Sequence, residues 1–173
     1  MGANTSSLLS EEIEEIARES NLSARDIKSL YKRFQKLDRS KSGVLSADDL
    51  TMIPELAMNP LVPRVTALLH NTNFRQFVNF LGVLSPNAQK SAKIDFAYRI
   101  YDVDGDGVIN ASDLQTILRM MVGDNLKDET LDEITEMIIS NADLDGDKVI
   151  NRSEFETALN TEDVVNLMTV STF

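Results

Sequence analysis

The feature that most constrains this chain is a pattern of twelve residues that occurs twice, 41 residues apart. The first copy, residues 102–113, reads DVDGDGVINASD, and the second, residues 143–154, reads DLDGDKVINRSE. In both copies aspartate stands at positions 1, 3 and 5, and isoleucine stands at position 8. Acidic residues at every second position do not follow the period of a solvated helix face, so the pattern predicts a loop that gathers its carboxylates.

This order of oxygen-bearing residues fits the EF-hand loop, which surrounds Ca²⁺ with about six to eight oxygen ligands. Positions 1, 3, 5 and 12 supply side-chain oxygens, and position 7 supplies its backbone carbonyl. The apolar position 8 predicts a short β-bridge between Ile109 and Ile150. The predicted ligands are Asp102, Asp104, Asp106, Val108 and Asp113 in the first copy and Asp143, Asp145, Asp147, Val149 and Glu154 in the second.

Each copy departs from the usual loop at one position. Asp113 stands at position 12, where glutamate is usual, and its side chain is shorter by a methylene. We therefore expect weaker Ca²⁺ binding at residues 102–113 and a shift in preference toward the smaller Mg²⁺. Lys148 stands at position 6, where the chain turns sharply, and a non-glycine residue with positive φ costs of the order of 1 kcal/mol there. Its charge can point to solvent, so we still expect the second loop to bind.

A weaker copy of the pattern covers residues 38–49. Gly43 stands at the turn and Leu45 at position 8, but the ligand positions are acidic only at the two ends. Arg39 and Lys41 oppose a cation, so a metal-free unit that is kept for its helix packing is the favoured interpretation. If this loop does bind a metal weakly, its ligands are Asp38, Ser40, Ser42 and Asp49.

A fourth unit is predicted near residues 70–73, ahead of an apolar exit helix. The stretch from Leu56 to Ile94 contains no aspartate or glutamate, so this unit can hold no divalent ion. His70, the one histidine of the chain, is interpreted as an ordinary loop residue.

Apolar residues at helical spacing surround these loops and predict an all-α fold, with four EF-hand units in two paired lobes and short β-bridges between paired loops. Ser23 followed by Asp26 predicts a capping box at a helix start. We divide the chain into an N-terminal segment (1–22), an N-terminal lobe with degenerate loops (23–86), a metal-binding C-terminal lobe (87–159) and a tail (160–173).

Composition and charge exclude several classes of function. The chain has no cysteine and one histidine, which excludes thiolate and multi-histidine metal sites. No nucleophile–base pair or phosphate-binding glycine loop stands out, so we do not expect an enzyme. The net charge of −11 argues against nucleic-acid binding. Residues 87–173 hold 18 Asp and Glu against seven Lys and Arg, so the whole excess lies in the half that is predicted to bind cations.

The first six residues, MGANTS, fit the N-myristoylation pattern with Gly2 as the acceptor. A single acyl chain gives only marginal membrane binding, and no polybasic segment follows, so we expect weak or conditional membrane association. The N-terminus does not read as a secretory signal, and no apolar run approaches about 20 residues. We therefore expect a cytoplasmic protein, peripheral at membranes when it is acylated.

Four units, two of them degraded, after an N-terminal Met-Gly resemble the calcineurin B group over nearly the whole chain. The most specific stretches are IPELAMNPL (53–61), FAYRIYD (96–102), LRMMVG (118–123) and NLKD (125–128). The last two look most like the phosphatase regulatory subunit. Residues 8–16 look more like the calcineurin B homologous proteins. The aspartate at loop position 12, Asp113, resembles the calcium-and-integrin-binding proteins, another branch of this group. The resemblance implies a calcium-binding regulatory or adaptor subunit; a calcium or magnesium buffer is a weaker alternative, since it would gain nothing from degraded loops.

The resemblance also implies a protein partner, either a phosphatase catalytic subunit or a cytoplasmic segment of a membrane transporter or receptor. Such proteins bury an amphipathic helix of the partner in an apolar groove, where the adaptable methionine side chain is common. The candidate groove residues, some of which must be core, are Ile117, Leu118, Met120, Met121 and Met137. One hypothesis is that the apolar tail, residues 160–173, lies in or beside this groove when the partner is absent.

Overall fold

The computed structural model describes residues 10–20, 22–53, 60–83 and 88–159 and is mostly helical, as predicted. The helices are α1 (Ser10–Ser20), α2 (Ala24–Leu37), α3 (Ala47–Thr51), α4 (Val62–Leu68), α5 (Phe74–Val83), α6 (Lys90–Tyr101), α7 (Ala111–Val122), α8 (Asp128–Ala142) and α9 (Arg152–Ala158). Two short strands, β1 (Val44–Leu45) and β2 (Thr72–Asn73), and a 3₁₀ turn at Gly123–Asn125 complete the described elements. Gly2, part of the predicted lobe boundary and the tail lie outside the described residues.

Helix α2 illustrates how the sequence sets a helix start and a buried face. The Asp26 N–H donates to the Ser23 hydroxyl and the Ser23 N–H donates to the Asp26 carboxylate, each at 3.2 Å, so the predicted capping box is confirmed. Further along, Phe34 is buried against the rings of Phe74 and Phe77, with centroid distances of 5.4 and 5.6 Å. These rings join α2 to α5 in the N-terminal lobe.

The loops are joined in pairs, as predicted. In the N-terminal lobe β1 pairs antiparallel with β2, and Leu45 lies opposite Thr72. In the C-terminal lobe the Ile109 N–H donates to the Ile150 carbonyl at 3.0 Å, and the Ile150 N–H donates to the Ile109 carbonyl at 2.8 Å. Both isoleucines are buried, so the C-terminal pair closes around an apolar contact at position 8, whereas in the N-terminal pair the buried Leu45 lies opposite the buried polar residue Thr72.

Two clusters of buried apolar side chains form the core, and the boundary between them does not follow the boundary between the lobes. The larger cluster contains the buried faces of α1, α2 and α5 and also takes in Phe96, Ile100 and Ile117 from the C-terminal half. The smaller cluster contains the two bridged isoleucines together with Ile94 and Phe155. Helix α6, which leads into the 102–113 loop, therefore packs into both clusters.

In the described part of the chain, no helix is long and apolar enough to cross a membrane.

Candidate metal centre

Each acidic loop brings three carboxylates together. Among the described residues, oxygens that lie within 4.8 Å of one another come from Asp102, Asp104 and Asp106 in one group and from Asp143, Asp145 and Asp147 in the other. A hard divalent cation is bound by carboxylate oxygens gathered in this way. The residues at positions 1, 3 and 5 of both loops thus fit Ca²⁺, as their spacing predicts.

Backbone N–H groups position the carboxylates of the first loop. The Gly105 N–H donates to Asp102 Oδ1 at 2.8 Å, and the Gly107 N–H donates to Asp102 Oδ2 at 3.1 Å. The N–H of Val108 donates to Asp106 Oδ1 at 3.0 Å. The loop therefore wraps around its own position-1 aspartate, and the remaining lone pairs of these oxygens stay available to a cation.

The second loop repeats this geometry although it has a lysine at the turn. The N–H groups of Gly146 and Lys148 donate to Asp143 at 2.7 and 2.8 Å, and the Val149 N–H donates to Asp147 at 3.0 Å. Lys148 has φ of +66°, so the predicted positive φ is confirmed. Position 4, Gly146, also has positive φ, +84°, which sequence reasoning missed because it considered position 6 alone.

Asp113, at position 12 of the first loop, is buried, and its carboxylate accepts hydrogen bonds from backbone N–H groups. The Asn110 N–H donates to one oxygen of Asp113 at 2.9 Å, and the Val103 N–H donates to the other at 3.1 Å. The Asn110 side chain in turn accepts from the Asp113 N–H, which completes a capping box at the start of α7. Asp113 lies outside the cluster of three carboxylates, as Glu154 does in the second loop.

Position 12 of the second loop reaches further across its loop. One oxygen of Glu154 accepts from the Asn151 N–H at 2.9 Å, and the other accepts from the Leu144 and Asp145 N–H groups at 2.9 and 3.3 Å. The longer side chain thus contacts positions 2 and 3, whereas Asp113 contacts position 2 alone. This difference in reach supports the prediction that the two loops differ in ion preference.

The pKa values in the second loop reflect both backbone N–H donors and a concentration of negative charge. The N–H of position 6 lowers the pKa of Asp143 and the N–H of position 9 lowers that of Glu154, so both carboxylates are ionised at neutral pH. At Asp145, the N–H of Asp147 acts to lower the pKa, but burial and the charges of Asp147, Glu154 and Asp143 outweigh it, and the pKa is raised. A divalent cation would relieve this repulsion.

Tyr98 links the two acidic loops, and sequence reasoning did not assign it this role. Its buried hydroxyl lies 2.8 Å from the Gly107 carbonyl and 3.1 Å from the Ile150 carbonyl. Burial raises the pKa of Tyr98, and the charges of Asp102 and Asp106 raise it further, so the hydroxyl remains a donor. The available signal was an aromatic residue with a polar tip four residues before loop position 1.

The loop at residues 38–49 is organised around one carboxylate. Asp38 is 6% exposed and accepts from the N–H groups of Ser42 and Gly43 at 3.0 and 2.8 Å and from the Ser40 hydroxyl at 3.1 Å. Burial raises the pKa of Asp38, but these donors lower it by more, with a net decrease. Asp49 is buried in the capping box that starts α3. Of the two hydroxyls named as weak ligands, that of Ser40 thus donates to Asp38, and that of Ser42 donates to the Val44 carbonyl at 3.0 Å.

The fourth unit keeps the capping box of an EF-hand loop but has no acidic residue. The Asn73 N–H donates to Gln76 Oε1 and the Gln76 N–H donates to Asn73 Oδ1, each at 3.0 Å. This is the capping box that the other three units form between positions 9 and 12, with an amide in place of the carboxylate. His70 is exposed and lines a cavity of about 350 Å³ beside Phe80 and Arg99.

The five candidate groove residues fall into three environments. Ile117 is 1% exposed and belongs to the larger core cluster, so it packs inside the protein. Leu118 and Met120 are half-buried. Met121 and Met137 are 51% and 58% exposed, which makes them two of the four large apolar side chains exposed in the described residues.

Helices α7 and α8 pack against each other, and residues of both helices line a cleft of about 410 Å³. Met120 lines it, and two polar links cross it: Gln115 donates to Asp132 at 2.6 Å, and Arg119 forms an ion pair with Asp128. The cleft therefore has an apolar wall and a polar rim.

Comparison with known proteins assigns both lobes to the same class. The family model described as an EF-hand domain pair matches residues 91–159, and a model described as an EF hand matches residues 30–53. With the bridged loops and the gathered carboxylates, these matches define a calcium-binding protein of the EF-hand class.

Comparison with individual proteins identifies the family within the EF-hand class. The chain is 45% identical to the calcineurin B subunit of Naegleria gruberi, over 98% of this chain and 99% of the relative. It is 43% identical to the type 2 calcineurin B subunit of Dictyostelium discoideum, over 83% of this chain and 81% of the relative. It is 36% identical to the calcineurin B subunit of Yarrowia lipolytica, over 93% and 96%. The chain belongs to the calcineurin B family of calcium-binding regulatory subunits, which confirms the resemblance drawn from its motifs.

Proposed function

We propose that this chain regulates a calcineurin-type phosphatase by binding Ca²⁺ in its C-terminal lobe and a helix of the catalytic chain on its surface. The observation that carries the proposal is the pair of three-carboxylate loops joined by the Ile109–Ile150 bridge in a chain of this family. The catalytic chemistry belongs to the partner in this proposal. Of the branches that the motifs left open, the similar proteins favour the phosphatase subunit.

The proposed ligands are those predicted at positions 1, 3, 5, 7 and 12 of the loops at residues 102–113 and 143–154. The Asp38 loop is proposed to be metal-free, because the Ser40 hydroxyl and the Ser42 N–H donate to the carboxylate and the Ser42 hydroxyl donates to the Val44 carbonyl at 3.0 Å. Calorimetric titration with Ca²⁺ tests this assignment. Two binding events are expected, and a third tight event that Asp38→Ala abolishes would contradict it.

The proposed partner surface includes Met121 on α7 and Met137 on α8. Exposed methionines are unfavourable to leave in water and adapt to different apolar partners. The two helices on which they lie bound the cleft that Met120 lines, and the polar rim of that cleft suits an amphipathic helix. Ile117 is left out of this surface because it is core.

The test is reconstitution with a purified calcineurin catalytic chain. The double variant Met121→Gln, Met137→Gln keeps side-chain length and helix propensity but removes apolar surface, and it should weaken the complex by at least about tenfold. Met52→Gln is the matched control, since Met52 is exposed to a similar degree, 52%, in the N-terminal lobe. Equal losses from both variants, or none from the double variant, would contradict the proposed surface.

We also propose that the protein is cytoplasmic and that Gly2 is myristoylated. The support is the MGANTS sequence alone. Co-expression with an N-myristoyltransferase and intact-mass measurement test the modification, with Gly2→Ala as the control. An unmodified parent chain would contradict it.

A further inference from the structure

Arg64 joins the N-terminal lobe to the start of the 102–113 loop. It lies in α4 and is 8% exposed. Its Nε donates to the Ile100 carbonyl at 3.0 Å, and its Nη2 lies 3.0 Å from the Arg99 carbonyl and 2.9 Å from the Asp102 carbonyl. All three acceptors are backbone oxygens at the end of α6, more than thirty residues away along the chain.

The chemistry of these acceptors explains why an arginine suits the position. The last carbonyls of a helix have no intrahelical partner and lie at the negative end of the helix dipole. A buried carbonyl without a donor is costly. The guanidinium group has five N–H donors in a rigid plane, so one side chain can satisfy several carbonyls at once, and its charge complements the dipole.

This contact holds the first residue of the metal loop from outside the loop. The Asp102 N–H donates to the Tyr98 carbonyl at 2.9 Å, and its own carbonyl accepts from Arg64. Both backbone polar groups of the position-1 residue are thereby fixed. At the equivalent carbonyl in the first unit, Asp38 accepts from the Lys41 N–H at 3.3 Å, which belongs to the same loop.

We propose that Arg64 is a positioning residue for the metal site at residues 102–113 and couples that site to the N-terminal lobe. The inference rests on the ligand set proposed for this loop and needs no partner protein. Arg64 acts by fixing the backbone from which the Asp102 carboxylate projects, so less ordering is required when Ca²⁺ binds. Because coupling is reciprocal, Ca²⁺ in this loop also strengthens the packing of α4 on α6. A lobe with degenerate loops thus contributes to metal affinity.

The experiment is a Ca²⁺ titration of the full chain followed by NMR. The Gly107 and Lys148 amides report on the two loops separately, because each donates to the position-1 carboxylate of its own loop. Arg64→Met removes the donors and keeps an unbranched side chain, and Arg64→Lys keeps the charge without the planar fork. Arg75→Gln is the matched control, since Arg75 lies in the same lobe and pairs with Glu15 and Glu19 at 2.7 Å.

Arg64→Met should weaken Ca²⁺ binding at Gly107 by about five- to tenfold and at Lys148 by less than about twofold, in the lower range of coupling between sites. Arg64→Lys should fall between this variant and the parent, and Arg75→Gln should match the parent. If Arg64→Met does not fold, Arg64→Lys decides the question. An unchanged affinity at Gly107, or equal losses at both loops, would overturn the inference. A parent chain with no response at Gly107 would instead overturn the ligand assignment, and the inference with it.

Discussion

Removal of the Tyr98 hydroxyl tests whether the two acidic loops act as one unit. Tyr98→Phe keeps the ring, which packs edge-on against Phe155 with a centroid distance of 5.3 Å. The substitution deletes the contacts of the hydroxyl with the carbonyls of Gly107 and Ile150. We expect lower stability of the C-terminal lobe and weaker coupling between the two binding events.

The size of the effect follows from the partners that remain. The hydroxyl has one proton, and Gly107 is the nearer acceptor at 2.8 Å. The Ile150 carbonyl keeps the N–H of Ile109, and the Gly107 residue is exposed, so water can replace the lost donor. The free energy of unfolding should therefore fall by about 1–1.5 kcal/mol, near the usual net value of one hydrogen bond and below the cost of a carbonyl left without any partner.

Urea unfolding with Ca²⁺ and with a chelator measures the stability change, and calorimetric titration measures the coupling. Tyr101→Phe is the matched control. Tyr101 lies on the same helix and packs against the same Phe155 ring at 5.5 Å, but its hydroxyl makes no hydrogen bond within the described residues. It should stay within about 0.5 kcal/mol of the parent, as expected for a substitution that removes no contact. If Tyr98→Phe is no more destabilised than this control, the hydroxyl does not link the loops.

Three further substitutions test the loops singly. Asp113→Glu should raise Ca²⁺ affinity relative to Mg²⁺ at residues 102–113, because the longer side chain reaches further across the loop; an unchanged calorimetric preference would contradict this. Lys148→Gly should raise the free energy of unfolding by about 0.5–1 kcal/mol in urea by relieving a positive φ, and a decrease would refute the strain. Asp38→Asn tests the lowered pKa of Asp38. The ionised carboxylate stabilises the folded state at pH values above its ordinary pKa of 3.8, and this stabilisation is lost as the pH falls through the lower pKa of the folded state. The variant should be less stable at neutral pH, and acid titration should show the gap closing; a constant gap would contradict the argument.

The sequence was sufficient to predict the elements whose cause is local. Three such features depend only on residues a few positions away: the carboxylate spacing at residues 102–106, the apolar position 8 and the Ser23–Asp26 pair. Their predicted outcomes, a gathered cluster, a bridge and a capping box, are all found. The positive φ at Lys148 follows for the same reason, since its neighbours in the loop dictate the turn.

The contacts that the sequence did not predict join residues far apart in the chain. The sequence analysis assigned no role to Arg64, and only the packing of α4 on α6 brings it to the Asp102 carbonyl. Ile117 fitted an apolar groove by its spacing on α7, but the larger core cluster extends into the C-terminal half and buries it. Helical periodicity indicates which face is apolar, not whether the protein itself or a partner covers that face.

The loops of the two lobes differ in the groups that surround their position-1 aspartates, and this difference supports the proposed assignment of Ca²⁺ to the C-terminal loops. In the N-terminal lobe the Ser40 hydroxyl and the N–H groups of Ser42 and Gly43 donate to Asp38, so hydrogen bonds within the loop compensate the charge of this carboxylate. In the C-terminal lobe the position-6 N–H likewise donates to Asp143, but desolvation and the charges of the neighbouring carboxylates raise the pKa of Asp145, and a cation would relieve this repulsion. In the proposed assignment the response to Ca²⁺ begins at the C-terminal loops, and α6 links them to the rest of the protein because it packs into both core clusters.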